Sequence, residues 1–438
     1  MRRYVLALAS LALLMPSPAG AVTVSRRVPT TFGIGVAASV DSKTMLGWMP
    51  RTGAPLDYAY RYLGGGVGTG HNWTDMAAGA TYPITYATQA VLKGYTPVFT
   101  YYNLLSTPGP CAASCVEAQR DLTNLNAPAV MNAYFADFAL LMQRLGAGWG
   151  GDTIVHVEPD LSGYANLATL NPTAKCYGFC TGTGNDPRLL RASVASSGYA
   201  LASGMENTYK GFNLTLARIR DTYAPNVRLA MHVSNWATGW DLNSATDPTI
   251  DATDLGVRAG TFALASGAAS FDLLFNDVSN KDAAYYTYVL HKARFWDQDN
   301  AVFPNFHRWE SYVKAVTTTT GKKAIVWQVP IGNQLYKTMN NTYGHWQDNR
   351  VEYFFNHLAE LRDAGLIGVL FGTTQPDATN YWDAAGDVVT NPAPVCTSDG
   401  WSSGKVVCST LDSPSADDDG TYLRLRVIDY YKNPLPLG

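Results

Sequence analysis

Charge is scarce in this chain of 438 residues: 32 lysines and arginines stand against 35 aspartates and glutamates, a net of −3. That thin scatter contains no Lys/Arg cluster or basic stripe, so a nucleic acid is not an expected partner. Long apolar runs are also missing beyond the first 21 residues, and no membrane span is expected after them. Two common chemistries lack their spacing. No HxH or HExxH pair offers a metal site, and the glycine-rich "YLGGGVGTGHNW" lacks the GxxxxGK[ST] order of a phosphate loop, reading instead as a flexible lip. No linker separates a second domain and no internal repeat is visible. Neither a cofactor nor a metal is expected.

The apolar run at the start, "MRRYVLALASLALLMPSPAGAV", follows two arginines and ends in a small-residue cleavage site. It predicts a secretory signal peptide over 1–21, a mature chain over 22–438 and a secreted product. Six cysteines, an even number, suit an oxidising compartment and a disulfide framework. They fall as Cys111/Cys115, Cys176/Cys180 and Cys396/Cys408; spacing leaves their pairing open, and a zinc tetrathiolate from the first four is the alternative.

Short apolar runs alternate with helical patterns along the chain. Eight candidate strands are "TTFGIGVAAS", "DYAYRYLGGG", "TPVFTYYNLL", "TIVHVEPDL", "RLAMHVSNW", "FDLLFNDVS", "KAIVWQVPIG" and "LIGVLFGTT". Helical stretches between them include "PAVMNAYFADFALLMQRLG", "HRWESYVKAVTTTTG" and "NRVEYFFNHLAELRDAG", the last two ending at a glycine suited to a left-handed cap. A long polar loop over about 373–418 and a closing helix in "DDDGTYLRLRVIDYYKN" complete the chain. Parallel strands need crossover helices and covered faces, so the series predicts an α/β fold, a single TIM-like (β/α)8 barrel.

In such barrels the working residues sit where strands end. The fourth run closes as "IVHVEPDLSGY", with Glu158 and Asp160 around a proline that cannot continue a ladder. Side chains alternate along a strand, so 156, 158 and 160 are expected on one face looking into the barrel mouth. Two acids held close in a partly dry mouth disfavour double ionisation, leaving one protonated near neutral pH, as general-acid cleavage of an acetal requires. An ion pair to an arginine, or a cap for the following helix, is the structural alternative for either acid.

Around these acids the order of motifs is informative. "VHVEPDLSG" resembles the Glu-Pro-Asp signature of family 6 glycoside hydrolases, the inverting cellulases, in which that aspartate is the general acid. "YYNLL", "PCAAS", "AKC", "LAMHVSNWATGW", "NDVSN" and "GTTQPDATN" resemble further segments of that family in the same order. The resemblance implies Asp160 as acid, Tyr102 as a ring-distorting contact, Asp377 as general base and a Cys111–Cys176 bridge; Glu158, the neighbouring acid, is expected as the tuning partner of Asp160. It also implies a distorted seven-stranded barrel as the alternative to eight strands. Pro110 stands where the family keeps an aspartate that tunes the acid, and Ser234 replaces another active-site aspartate.

Gln328 occupies the level of the seventh strand at which related barrels carry a nucleophilic glutamate. A glutamine cannot form the glycosyl ester, so single displacement with two separated carboxylates is expected. Asp277, ending the sixth strand, is the rival base. The chain carries 26 tyrosines and 11 tryptophans, whose faces suit sugar C–H surfaces. Tyr101, Tyr102, Trp73, Trp236, Trp240, Trp327 and Trp346 fall at strand ends or top loops; His232 and Gln328 join them as substrate contacts, with Trp236 and Trp240 as the platform. The expected activity is that of a secreted glycoside hydrolase acting on a polysaccharide. Two alternatives are a metal-dependent hydrolase built on His156, His232 and Glu158 or Asp160, and a non-catalytic carbohydrate-binding protein on a degenerate barrel.

Overall fold

The computed structural model describes residues 29–38, 54–111, 114–332, 346–372, 378–379 and 421–438, with the backbone alone at 396–398 and 406–408. The segment 1–21, most of the loop over 373–418 and Asp377 lie outside the described residues.

Eight parallel strands close on themselves in chain order: β1 (Gly33–Ala37), β2 (Tyr58–Gly64), β3 (Thr96–Tyr102), β4 (Thr153–Val157), β5 (Val227–His232), β6 (Leu273–Asp277), β7 (Ala324–Val329) and β8 (Leu366–Phe371). Each coincides with one of the eight apolar runs. The seven-stranded alternative falls, because β8 pairs directly with β1 from Gly33↔Gly368 to Val36↔Phe371. An antiparallel pair, β9 (Cys396–Ser398) and β10 (Val406–Cys408), sets the backbones of Cys396 and Cys408 opposite each other.

The outer layer is helical: α1 (Tyr82–Leu92), α2 (Glu117–Leu125), α3 (Pro128–Gln143), α4 (Pro159–Leu170), α5 (Pro172–Lys175), α6 (Tyr209–Tyr223), α7 (Ala252–Ala265), α8 (Phe306–Thr320), α9 (Arg350–Asn356), α10 (Leu358–Asp363) and α11 (Thr421–Tyr430). Local chemistry sets several of their ends. Asn305 caps α8 by accepting from the Arg308 N–H at 2.9 Å, and Gly321 ends that helix with φ +65°. The run "NRVEYFFNHLAELRDAG" is not one helix, since the chain leaves helical geometry at His357 (φ −125°) between α9 and α10. No helix among the described residues is long and apolar enough to cross a membrane.

Strand alternation divides the core in two. On β4, Val155 and Val157 pack outward against helices while Ile154 and His156 point inward, all buried. The inner column continues with Tyr58, Tyr60, Val98, Ala230, Phe275, Ile325 and Trp327, which fill the barrel and support whatever lies over its mouth.

The cysteine question is settled locally for four of the six. Cys111 bonds Cys115 and Cys176 bonds Cys180, each across four residues. The Cys111–Cys176 bridge implied by the family resemblance is therefore not formed, and no tetrathiolate site is available to zinc.

Candidate active site

A cavity of about 880 Å³ opens over the C-terminal ends of the strands. Tyr62 reaches it from β2, Tyr102 from β3, Asp160 from the start of α4, His232 from β5, Asp277 from β6, and Trp327 with Gln328 from β7.

Asp160 is not a strand residue. β4 stops at Val157; Glu158 adopts a left-handed conformation (φ +39°, ψ 67°), and Pro159 begins α4, so Asp160 sits in the first turn of a helix. A residue after proline in that turn ordinarily gains about 0.3–1 kcal/mol as a carboxylate from the helix dipole. Here opposing effects win. Burial first, then the nearby charge of Glu117, lift the Asp160 carboxyl to about 7, with Asp277 adding in the same direction and the Tyr102 hydroxyl opposing.

The three side chains meet at one oxygen. Tyr102 Oη lies 2.8 Å from Glu117 Oε1 and 2.8 Å from Asp160 Oδ2. Burial and the charge of Asp160 drive the phenol far above its ordinary range, so it keeps its proton. It has only one to give. It can therefore donate to only one of the two acids at a time, and the raised carboxyl of Asp160 is the one suited to carry a proton of its own.

Glu158 takes no part in this. The left-handed turn swings its side chain behind β4, where it is 2 % exposed. Its Oε1 accepts from the Asn103 N–H at 2.9 Å, the Leu104 N–H at 3.1 Å and the Tyr134 hydroxyl at 2.8 Å. Oε2 has no hydrogen-bond partner among the described residues, and burial pushes the carboxyl up to about 7. The expected shared face of 156, 158 and 160 breaks because strand alternation ends two residues early. Glu117 stands beside Asp160 instead; its carboxyl comes from the first turn of α2, and Asp121, one turn on, is buried with both carboxylate oxygens unpartnered among the described residues. Burial, then the charges of Glu158, Asp160 and Glu117, hold Asp121 well above the carboxylate range.

Across the cavity, the two barrel histidines form a chain with Asp277. Thr100 Oγ1 lies 3.3 Å from His156 Nδ1, His156 Nε2 lies 3.0 Å from His232 Nδ1, and His232 Nε2 lies 3.3 Å from Asp277 Oδ1. Burial, then His232, lower the His156 pKa well below its usual value, so that ring is neutral. His156 also stacks on Phe275 with centroids 4.3 Å apart. All ring nitrogens of the pair are engaged, Glu158 faces away, and among the described residues no metal-spaced cluster includes either histidine. The metal-centred arrangement of His156, His232 and Glu158 or Asp160 is not assembled.

The aromatic expectations divide. Trp236 lines the cavity with its ring tilted 51° to that of Tyr164 at a centroid distance of 5.1 Å, seated on Gly163, where a Cβ would lie 2.3 Å from its Cη2. Trp327 forms the floor with its Nε1 unpartnered among the described residues, and Gln328, at φ +53° in a register shift between β7 and β8, donates from Nε2 to Tyr62 Oη. Tyr101 is fully buried and donates to Asp137 at 2.7 Å, because the residue preceding Tyr102 must face the helices. Trp73 is buried on the same aspartate, Trp346 is buried against Tyr285, and Trp240 is 49 % exposed outside the cavity lining. The sequence reading missed Tyr62, Glu117 and Tyr164, and also Arg294, which pairs with Asp241 at 2.9 Å on the cavity wall.

No protein-family model and no curated protein matches the chain. Among solved structures it is similar to the GH53 catalytic domain of Ignisphaera aggregans, at 12% identity and a TM-score of 0.45 over 92% of this chain and 96% of that one. It is also similar to a family 26 endo-β-1,4-mannanase of Cellulomonas fimi, at 11% identity and a TM-score of 0.42 over 80% and 66% of the two chains. Cellobiohydrolase II of Humicola insolens, in complex with glucose and cellotetraose, matches at 17% identity and a TM-score of 0.35 over 63% of each chain. The likeness is to glycoside hydrolase barrels of several families.

Proposed function

We propose that this chain is a secreted glycoside hydrolase that cleaves a polysaccharide by single displacement. Asp160 is the general acid and Asp277 the base among the described residues; Asp377, the other base candidate, stays part of the proposal without a described position. The observation that carries the reading is the Tyr102 hydroxyl shared by Glu117 and Asp160, beside an Asp160 carboxyl lifted to about 7, at the edge of an 880 Å³ cavity that Asp277 also lines.

Each step follows from the residues. Asp160 gives its proton to the departing glycosidic oxygen; Asp277, held by the His232 ring, takes a proton from water attacking the opposite face of the sugar. Tyr102 bears on the ring at the cleavage point, and Trp236 with Tyr164 offers an aromatic surface to a neighbouring sugar. Gln328 at the seventh strand end supports a mechanism without a glycosyl ester. The order of motifs shared with family 6 agrees with inversion, and the cavity lies at the upper end of ligand-cleft sizes, roughly 300–1,000 Å³.

The test follows new reducing ends from a panel of β- and α-glucans, mannans, arabinans and bacterial exopolysaccharides. Asp160→Asn and Asp277→Asn should each lower the rate by about 10²–10⁴ while the polysaccharide still binds. Proton NMR of the first product should show the anomer opposite to the substrate's. Folded wild-type protein that binds a glycan and never releases a reducing end would leave the non-catalytic binding reading in its place.

A further inference from the structure

On the outer face of the barrel, two His-x-x-Glu spacings meet. "HRWE" places His307 and Glu310 one turn apart at the start of α8, and "HLAE" places His357 and Glu360 across the start of α10, which packs against α8. His307 Nε2 lies 3.5 Å from Glu360 Oε2, and His357 Nδ1 lies 2.9 Å from Glu360 Oε1. One ligand atom each from His307, Glu310 and Glu360 falls within 4.8 Å of the others.

Glu310 makes this more than a surface ion pair. It is 9 % exposed, its Oε1 has no hydrogen-bond partner among the described residues, and it faces the second carboxylate. The adjacent Arg308 does not help, because its guanidinium is turned to the carbonyls of Ala245 and Asp247 at 3.0 and 2.6 Å. Two carboxylates converging on an imidazole make a centre that a cation between them would neutralise. Ligands held at about 2.0–2.2 Å from one first-row cation lie roughly 3–4.4 Å apart, close to the spacing of these three side chains.

We propose that His307, Glu310 and Glu360 bind a divalent transition-metal cation of the zinc type, which ties α8 to α10. His357 is a positioning residue: its Nδ1–H donates to Glu360 Oε1 and fixes that carboxylate for the metal. Two carboxylates and a neutral imidazole balance the charge of the ion, and the remaining coordination positions face solvent. The site is independent of the cavity over the barrel mouth, so its role is structural.

Tag-free full-length protein, stripped with a chelator and dialysed, should be titrated with Zn²⁺ alone in a calorimeter and then melted with and without the ion. One equivalent should bind and raise the melting temperature. His307→Ala, at a side chain 59% exposed, leaves the fold intact and should weaken binding at least about tenfold, as should the isosteric Glu310→Gln. His357→Ala should weaken it by about 10–100-fold. The proposal fails if no saturable binding is seen, or if either His307→Ala or Glu310→Gln binds Zn²⁺ as the parent does.

Discussion

Glu158→Gln separates a group buried for structure from one placed for chemistry, and its effect can be worked from the packing. The carboxyl has an ordinary value of 4.5 and is lifted to about 7, by burial first, against the donors Asn103, Tyr134 and Leu104. The folded protein therefore holds this proton more tightly than the unfolded chain does. Its contribution is full below about 4.5 and is lost as pH climbs to about 7, beyond which the penalty is constant. At about 1.4 kcal/mol per unit, the swing is about 3 kcal/mol.

A glutamine in this place keeps a carbonyl toward the three donors and does not titrate. Its amide N–H₂ takes the place of an oxygen without a partner, at a pH-independent cost of about 1–3 kcal/mol. The variant should thus be less stable than wild type at pH 5 and equal or more stable at pH 8. Asp121, whose carboxyl is raised by the Glu158 charge, pushes the difference the same way. Urea unfolding followed by circular dichroism from pH 5 to 8 reads it directly. Hydrolysis should stay within a few-fold of wild type, since the side chain does not line the cavity. A stability difference that is flat with pH, or that grows against the variant as pH rises, would refute this account of Glu158.

Two other changes probe the cavity itself. Glu117→Gln removes the like charge next to Asp160; carboxylates sharing one hydroxyl lie roughly 5 Å apart, where an effective dielectric of about 20 gives about 3 kcal/mol, or about two pK units at most. The basic limb of the kcat/KM profile should move one to two pH units towards acid, because Asp160 loses its proton sooner, and an unmoved limb would show that Glu117 does not tune it. Gly163→Ala sets a Cβ 2.3 Å from the Trp236 ring, a strain of about 1–3 kcal/mol that either displaces the indole and raises KM about tenfold or lowers the melting temperature. Neither change would mean that Trp236 is not seated there.

The barrel was readable because most strand positions are apolar on both faces, so eight bounded runs stood out without any need for fine periodicity. The site was readable only in part. Asp160 stood out through its triplet, yet the same proline marked a helix start, and reading Pro159 as the first helical residue would have removed Glu158 from the strand face. Alternation likewise decides between Tyr101 and Tyr102, since neighbours on a strand cannot both face the mouth. Trp240 lies four residues from Trp236, but those residues form a turn and not a helix, so the two rings part company. Glu117 left no local sign of its role. It reaches Asp160 only because α2 follows β3 and brings the start of that helix over the strand that precedes α4.

The two carboxylates of the proposed reaction are distinguished by their surroundings. Asp160 shares a hydroxyl with the exposed Glu117, and its own burial and that neighbouring charge raise its carboxyl to about 7. Asp277 meets a ring nitrogen instead, at the end of a chain that runs from the Thr100 hydroxyl through the His156 and His232 rings to its Oδ1. That chain orients the carboxylate but cannot drain it. Passing a proton inward would require a charge on His156, which is fully buried and whose pKa is lowered by that burial. A proton taken from water at Asp277 therefore has to leave by the cavity, along the path that admits the water and releases the sugar.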